Sequence, residues 1–193
     1  MIELVKISKS YDEQVIFDGF SATFVPNEPA FITGPSGRGK TTLLQLISGI
    51  ESADGGEIKN NGAKFAVMFQ EPRLFPHINA LDNVRAVVNK SDFPIADKCF
   101  EAVGLSIVED GKKMPSELSG GMKQRVSLAR FLAFAHISGA DALLLDEPFS
   151  ALDSELRERC AALITELVKD KILVVVGHDC AEAKLFGARI IEL

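Results

Sequence analysis

The order of apolar and polar positions divides the chain into an opening third of strands, a helical middle and an alternating tail. Residues 2–7 alternate as a half-buried strand does, and so does Phe20-Ser21-Ala22-Thr23-Phe24-Val25. Pro26-Asn27-Glu28-Pro29 reads as a turn, followed by a third strand, Ala30-Phe31-Ile32-Thr33. Helical periodicity begins only at Lys40: Leu43, Leu44 and Ile47 form an apolar stripe and Gly49 marks its stop. Asp54-Gly55-Gly56 then turns the chain into short strands that end at Phe65-Ala66-Val67-Met68-Phe69. Residues from about 71 to 135 read as mainly helical. The tail alternates strand 142–146, helix 154–168, strand 172–176, helix 180–186 and strand 188–193. This order predicts an α/β fold, with a parallel sheet core, a helical insertion and an antiparallel portion built from the early strands.

Composition narrows the class without changing that picture. The 193 residues are 47% hydrophobic and 25% charged, enough for one compact domain with a sizeable core. Ala142–Leu145 and Ile172–Val176 are short apolar runs bounded by charge or glycine, which suits buried parallel strands and falls well short of the ~20 residues of a membrane span. The N-terminus carries an acid at once and does not read as a secretory signal, so the expected location is the cytoplasm. Cysteines 99, 160 and 180 share no metal-type spacing and are expected to be reduced structural thiols without chemistry. A net charge of −6 argues against a nucleic-acid groove, and membrane contact is expected through a protein partner rather than anionic lipid.

Candidate chemistry starts at Gly34-Pro35-Ser36-Gly37-Arg38-Gly39-Lys40-Thr41, which fits G-x-x-x-x-G-K-[ST] between a predicted strand and a predicted helix. Glycines 37 and 39 let the backbone curl so that successive N–H groups and the helix N-terminus face a phosphate chain. Lys40 adds charge near the β- and γ-phosphates, and the Thr41 hydroxyl is placed to ligate Mg2+. Strand 142–146 delivers Asp146-Glu147 to the carboxyl edge of a parallel sheet, where the phosphate loop also lies. That position suits Asp146 as a partner of Mg2+ and Glu147 as a general base for the attacking water. Alone, the pair fits the start of a solvated loop equally well.

Several phosphate-loop proteins share these features. Asn89-Lys90-Ser91-Asp92 fits the N-K-x-D guanine-reading pattern of a GTPase, yet D-x-x-G occurs nowhere in the chain. A small-molecule kinase leaves Leu118-Ser119-Gly120-Gly121-Met122-Lys123-Gln124-Arg125 unexplained. Ser119 is a good helix N-cap there, and Gly120 and Gly121 leave N–H groups uncovered at a helix's positive end, a second anion site on one chain. This stretch resembles the LSGGQ-type signature of ABC ATPases, and further motifs of that family follow in its order over nearly the whole chain.

The resemblance implies a P-loop NTPase fold of the ABC ATPase type: a single domain over 1–193, with an antiparallel β subdomain and a helical subdomain, roughly 71–135, inserted in a RecA-like core. It implies that ATP and Mg2+ bind, that Thr42 lines the phosphate site with Thr41, and that Tyr11 stacks on adenine. Gln70 resembles the glutamine that contacts Mg2+ and water and senses the membrane partner. Asp146-Glu147-Pro148-Phe149-Ser150-Ala151-Leu152-Asp153 resembles a Walker B strand continued into the D-loop, with Asp153 at a dimer seam, and His178 resembles the switch histidine at the γ-phosphate. In the family each ATP lies between the phosphate loop of one chain and the Ser119-type signature of a second, head-to-tail copy.

Three departures stand out. Asn27-Glu28-Pro29 replaces the usual Gly-Glu turn, Gly177 stands where Thr or Ser commonly precedes the histidine, and the chain stops soon after His178, so the expectation is a cassette without a C-terminal regulatory domain. Met122–Arg125 and residues 74–84 are similar to bacterial importers of the nitrate, sulfonate and taurine type. The implied function is ATP hydrolysis that powers a transporter, an importer of a small solute, in complex with integral membrane subunits and a substrate-binding protein. Residues around Arg73 to Val84, with exposed Leu74 and Phe75, are then the docking segment. The alternative is a soluble mechanical ABC ATPase of DNA repair or translation. The first would need a long heptad coiled coil between Gln70 and Ser119, and the second normally carries two cassettes in one chain.

Overall fold

A computed structural model describes residues 1–12 and 14–193. The chain forms two compact units, one of residues 1–67, 140–146 and 168–193, the other of residues 68–139 and 147–167.

The first unit is built on two sheets. In the smaller, β1 (Ile2–Tyr11) lies between β2 (Gln14–Phe24) and β4 (Gly55–Lys59), antiparallel to both. The larger has the order β5-β6-β7-β3-β8, from β5 (Phe65–Met68), β6 (Ala142–Asp146), β7 (Ile172–Val176), β3 (Ala30–Thr33) and β8 (Arg189–Glu192). β6, β7 and β3 pair in parallel with Asp146 opposite Val176 and Val176 opposite Ile32, so three strand ends lie level along one edge. Every residue of β6 and β7 is buried, as continuous apolar runs in a covered parallel sheet must be. α1 (Lys40–Ser48) buries Leu43, Leu44, Leu46 and Ile47 in one core with Ile2, Leu4, Phe24, Ile32, Leu144 and Val174, and Gly49 ends it in the left-handed region. α6 (Cys180–Leu185) completes this unit.

The second strand differs from the reading of the sequence. It was expected only from Phe20. β2 instead runs from Gln14, and Asp18-Gly19 is a bulge: Ile7 faces Phe20 and Lys9 faces Phe17, so one residue of β1 opposes two of β2. Gly19 (φ +68) donates its N–H to Ser8 Oγ at 3.3 Å.

The second unit holds α2 (Ala80–Arg85), α3 (Phe93–Ala102), α4 (Gly120–Ile137) and α5 (Ser154–Leu167). Buried Phe100, Val126, Phe131 and Leu132 form much of its apolar interior. Arg85 of α2 makes two 2.7 Å bonds to Asp97 of α3, and Arg159 of α5 caps the C-terminal end of α3 through the Ala102 carbonyl. The span 71–135 is less helical than its periodicity suggests, since residues 71–79 and 103–119 are mostly loops and turns. Asn89 to Asp92 form the N-cap and body of a 3-10 turn leading into α3, not a loop after a strand, which removes the guanine-reading interpretation.

Candidate nucleotide site

The phosphate loop joins β3 to α1, and its three glycines, 34, 37 and 39, take φ of +146, +79 and +87, which a helix or strand does not allow. Gly39 is the N-cap of α1 at φ +87, and a Cβ there would lie 2.4 Å from Ile16 Cγ2. Only glycine fits both the conformation and the approach of β2. Pro35, Ser36, Gly37 and Arg38 are exposed, whereas Lys40 is only 7% exposed. Its ammonium donates to the Gly34 carbonyl at 2.7 Å and the Pro35 carbonyl at 3.0 Å, so the charge is held inside its own loop.

In the first turn of α1, Thr41 Oγ1 donates to Asp146 Oδ2 at 2.6 Å, and Thr42 beside it is half-buried. Asp146 ends β6 and is 2% exposed. A nearly buried carboxylate against a hydroxyl is a hard-oxygen pair that fits Mg2+, a cation that keeps several waters and phosphate oxygens and takes few protein ligands. Among the described residues no cluster of three or more His, Cys, Asp or Glu could hold a metal without such help. His178 follows β7 by two residues and is exposed, so loop, Lys40, Thr41, Asp146 and His178 all belong to one edge of the parallel sheet, the crevice side on which α/β folds bind ligands.

Gly177 has a local reason. A Cβ there would come within 2.6 Å of Phe31 Cζ and 2.9 Å of Glu182 Oε2, so the side chain common at this position has no space. Asn27 likewise replaces glycine in a left-handed turn (φ +63) that asparagine tolerates, and its amide exchanges bonds with Asp170.

Tyr11 ends β1 and is 41% exposed. Its register partner Gln14 lines a cavity of about 300 Å³ whose walls include Val15 and Ile16 of β2 and Gly37 and Arg38 of the phosphate loop.

The second unit carries the remaining candidates. Ser119 is the exposed N-cap of the 18-residue α4 and accepts the Met122 N–H at 3.2 Å. Gly120 faces open space, while a Cβ on Gly121 would stand 3.7 Å from that of Ala151, which brings the start of α4 against the loop 147–153. Asp153 caps α5 by accepting the Leu156 N–H at 2.9 Å. Glu147 follows Asp146 directly at φ +49, a left-handed conformation that costs a side chain about 1–2 kcal/mol and turns the chain sharply at the strand end. Gln70, exposed, lies two residues beyond β5.

Sequence reasoning passed over Asn83 and Lys9. Asn83 is fully buried, accepts the Phe75 N–H at 2.7 Å and donates to the carbonyls of Phe75, Ile78 and Asn79, while Arg130 holds the carbonyls of Pro72 and Arg73. These bonds fix the 72–79 loop; Phe75 stands 50% exposed on it, but Leu74, expected to be exposed, is half-buried. Lys9 occupies a buried strand position where an apolar residue is the default, and that misfit was its visible signal.

Comparison with known proteins places the chain among close neighbours. The family described as ABC transporter matches residues 17–150. An aliphatic sulfonates import ATP-binding protein of Xanthomonas axonopodis pv. citri is 38% identical over 97% of this chain, and a spermidine/putrescine import ATP-binding protein of Mannheimia succiniciproducens is 36% identical over all of it. The chain spans 65% of the first relative's length and 55% of the second's. A dimeric ATP-binding cassette solved in a post-hydrolysis state with ADP and Pi superposes with a TM-score of 0.85, at 30% identity, over 100% of this chain and 94% of that one.

Proposed function

Because the chain belongs to the ABC transporter ATP-binding family, we propose that it binds and hydrolyses ATP to drive a membrane transporter for uptake of a small solute. The observation that carries this reading is the Thr41–Asp146 bond beside a lysine already folded into a glycine-rich loop. Lys40 would turn from the Gly34 and Pro35 carbonyls to the phosphates of ATP, exchanging two neutral acceptors for charged ones. Thr41, Asp146 and Gln70 would hold Mg2+, which when bound neutralises charge on the β- and γ-phosphates. Glu147 would take the proton of the attacking water while His178 steadies the γ-phosphate, and Tyr11 would stack on the adenine.

A second copy would complete the site, with Ser119, Gly120 and Gly121 of one chain facing the phosphates held by the other and Asp153 at the seam. The open face of Gly120 and the positive end of α4 support this. Among the described residues no helix is long and apolar enough to cross a membrane. The relatives' names as import ATP-binding proteins support transporter subunits on separate chains, met on the cytoplasmic face and docked on the Phe75 loop, with a substrate-binding protein in the whole assembly. The names of the relatives include importers of both sulfonates and polyamines, which leaves the cargo to those other subunits. The DNA-repair alternative finds no support: between Gln70 and Ser119 the longest described helix has 10 residues.

Two variants test the assignment. Lys40→Ala should lose most nucleotide affinity, whereas Glu147→Gln should retain ATP and nearly stop turnover, both followed by phosphate release and nucleotide binding. Wild-type hydrolysis by Glu147→Gln would remove the general-base role.

A further inference from the structure

We infer that Lys9 is a positioning residue for Tyr11, holding a cation against one face of the ring so that the other face takes the nucleotide base. This rests on the reading of Tyr11 as the base contact. Lys9 is 7% exposed, and an ammonium stays in such a place only with partners. It has them: Nζ donates to Glu51 Oε1 at 2.9 Å, to the Ser52 carbonyl at 2.9 Å and to Asp54 Oδ1 at 3.4 Å. All three donors of the ammonium are thereby spent, so Lys9 is not a spare charge for phosphate.

What remains to it is its position 5.1 Å from the centroid of the Tyr11 ring, within cation–π range. The two side chains share a strand face because they are two residues apart. The hydrogen bond to Glu51, with the charges of Glu51 and Asp54, raises the Lys9 pKa above its ordinary value, so the cation persists throughout the working pH range.

The clamp is fixed from two sides. The other oxygen of Asp54 accepts the Ser10 N–H at 2.7 Å, and the Asp54 N–H binds the Ser8 carbonyl at 2.9 Å. Residues 51–54 follow α1 directly, and α1 starts at Lys40; one helix thus connects the phosphate loop to the support beneath Tyr11. A cation on one face draws π density toward itself and lessens the repulsion between the ring's other face and a stacked base, which is itself a π surface.

The chain has one tyrosine and no tryptophan, so its tyrosine emission reports Tyr11 alone. The full chain is titrated with Mg-ATP and with Mg-tripolyphosphate, which has phosphates but no base. In the wild type ATP should quench the emission and tripolyphosphate should not. Lys9→Met should weaken ATP about 3- to 10-fold while tripolyphosphate binding stays within about twofold, and Lys9→Arg should restore ATP affinity. Should Lys9→Met fold poorly, Glu51→Gln keeps the lysine charged, loosens its main anchor and should lose base affinity in the same sense. Equal loss for both ligands, or no loss in either variant, overturns the role of Lys9. Wild-type emission indifferent to bound ATP overturns the Tyr11 reading itself, an outcome distinct from failure of Lys9 alone.

Discussion

Gly39→Ala places a methyl group where the structure leaves no room. The new Cβ would lie 2.4 Å from Ile16 Cγ2 and 3.1 Å from Phe17 Cζ, and the residue would keep φ near +87. The conformation costs about 1–2 kcal/mol for a side chain, and forcing a methyl into a packed contact costs about 1–3 kcal/mol. Together they amount to about 2–5 kcal/mol, a fall of about 4–20 °C in Tm for a chain of this size. The two contributions separate in a cycle with Ile16→Ala, which removes Cγ2 but leaves the conformation strained. The double variant should therefore recover about 1–3 kcal/mol relative to the sum of the single ones. Thermal melts with and without Mg-ATP give both numbers, and ATP should stabilise Gly39→Ala less than the wild type because the loop that binds it is displaced. A Tm within about 2 °C of wild type with undiminished ATP stabilisation would refute the reasoning.

Replacing Leu74 and Phe75 together with Asp should abolish transport by the assembled complex while the isolated chain binds ATP within about twofold of wild type, because the loop itself is held by Asn83 and Arg130; unchanged transport would move the docking site elsewhere. Burial pushes the thiols of Cys99 and Cys160 up to about 11, so at pH 8 only about one in a thousand of either is thiolate. Labelling of the folded chain at pH 8 should thus be fast at one thiol, exposed Cys180, with the other two accelerating only toward pH 11 or on unfolding; three fast thiols at pH 8 would contradict this.

The parallel core was legible because its central strands are buried on both faces: Ala30–Ile32, Ala142–Leu145 and Ile172–Val176 are unbroken apolar runs too short for a helix and bounded by polar residues, proline or glycine. The phosphate loop was legible because glycine positions follow from local backbone demands. Tertiary pairing was not. Whether Asp18-Gly19 turns the chain or bulges it depends on Ser8 across the strand, which no local window contains. The loop 72–79 is set by Asn83 and by Arg130, 57 residues beyond Arg73. Lys9 is tied to Glu51 and Asp54 by contacts over more than 40 residues, so only its misplacement in the strand pattern gave it away.

The central geometric proposal is that each ATP is held by Lys40 of one chain and Ser119 of another. Lys40→Ala lacks the cradle's charge. Ser119→Arg sets a bulky side chain where the cap and the positive end of α4 should meet phosphate, at a local cost of about 0.5–2 kcal/mol that a folded chain survives. Each variant alone should fail to occlude ATP. In a mixed dimer both lesions fall in one site, and the other joins an intact cradle to an intact signature. Counting nucleotide trapped after mixing should therefore give roughly one ATP per mixed dimer. No recovery of trapped ATP, with mixed dimers shown to form, would contradict the head-to-tail arrangement and leave Ser119 an ordinary helix cap.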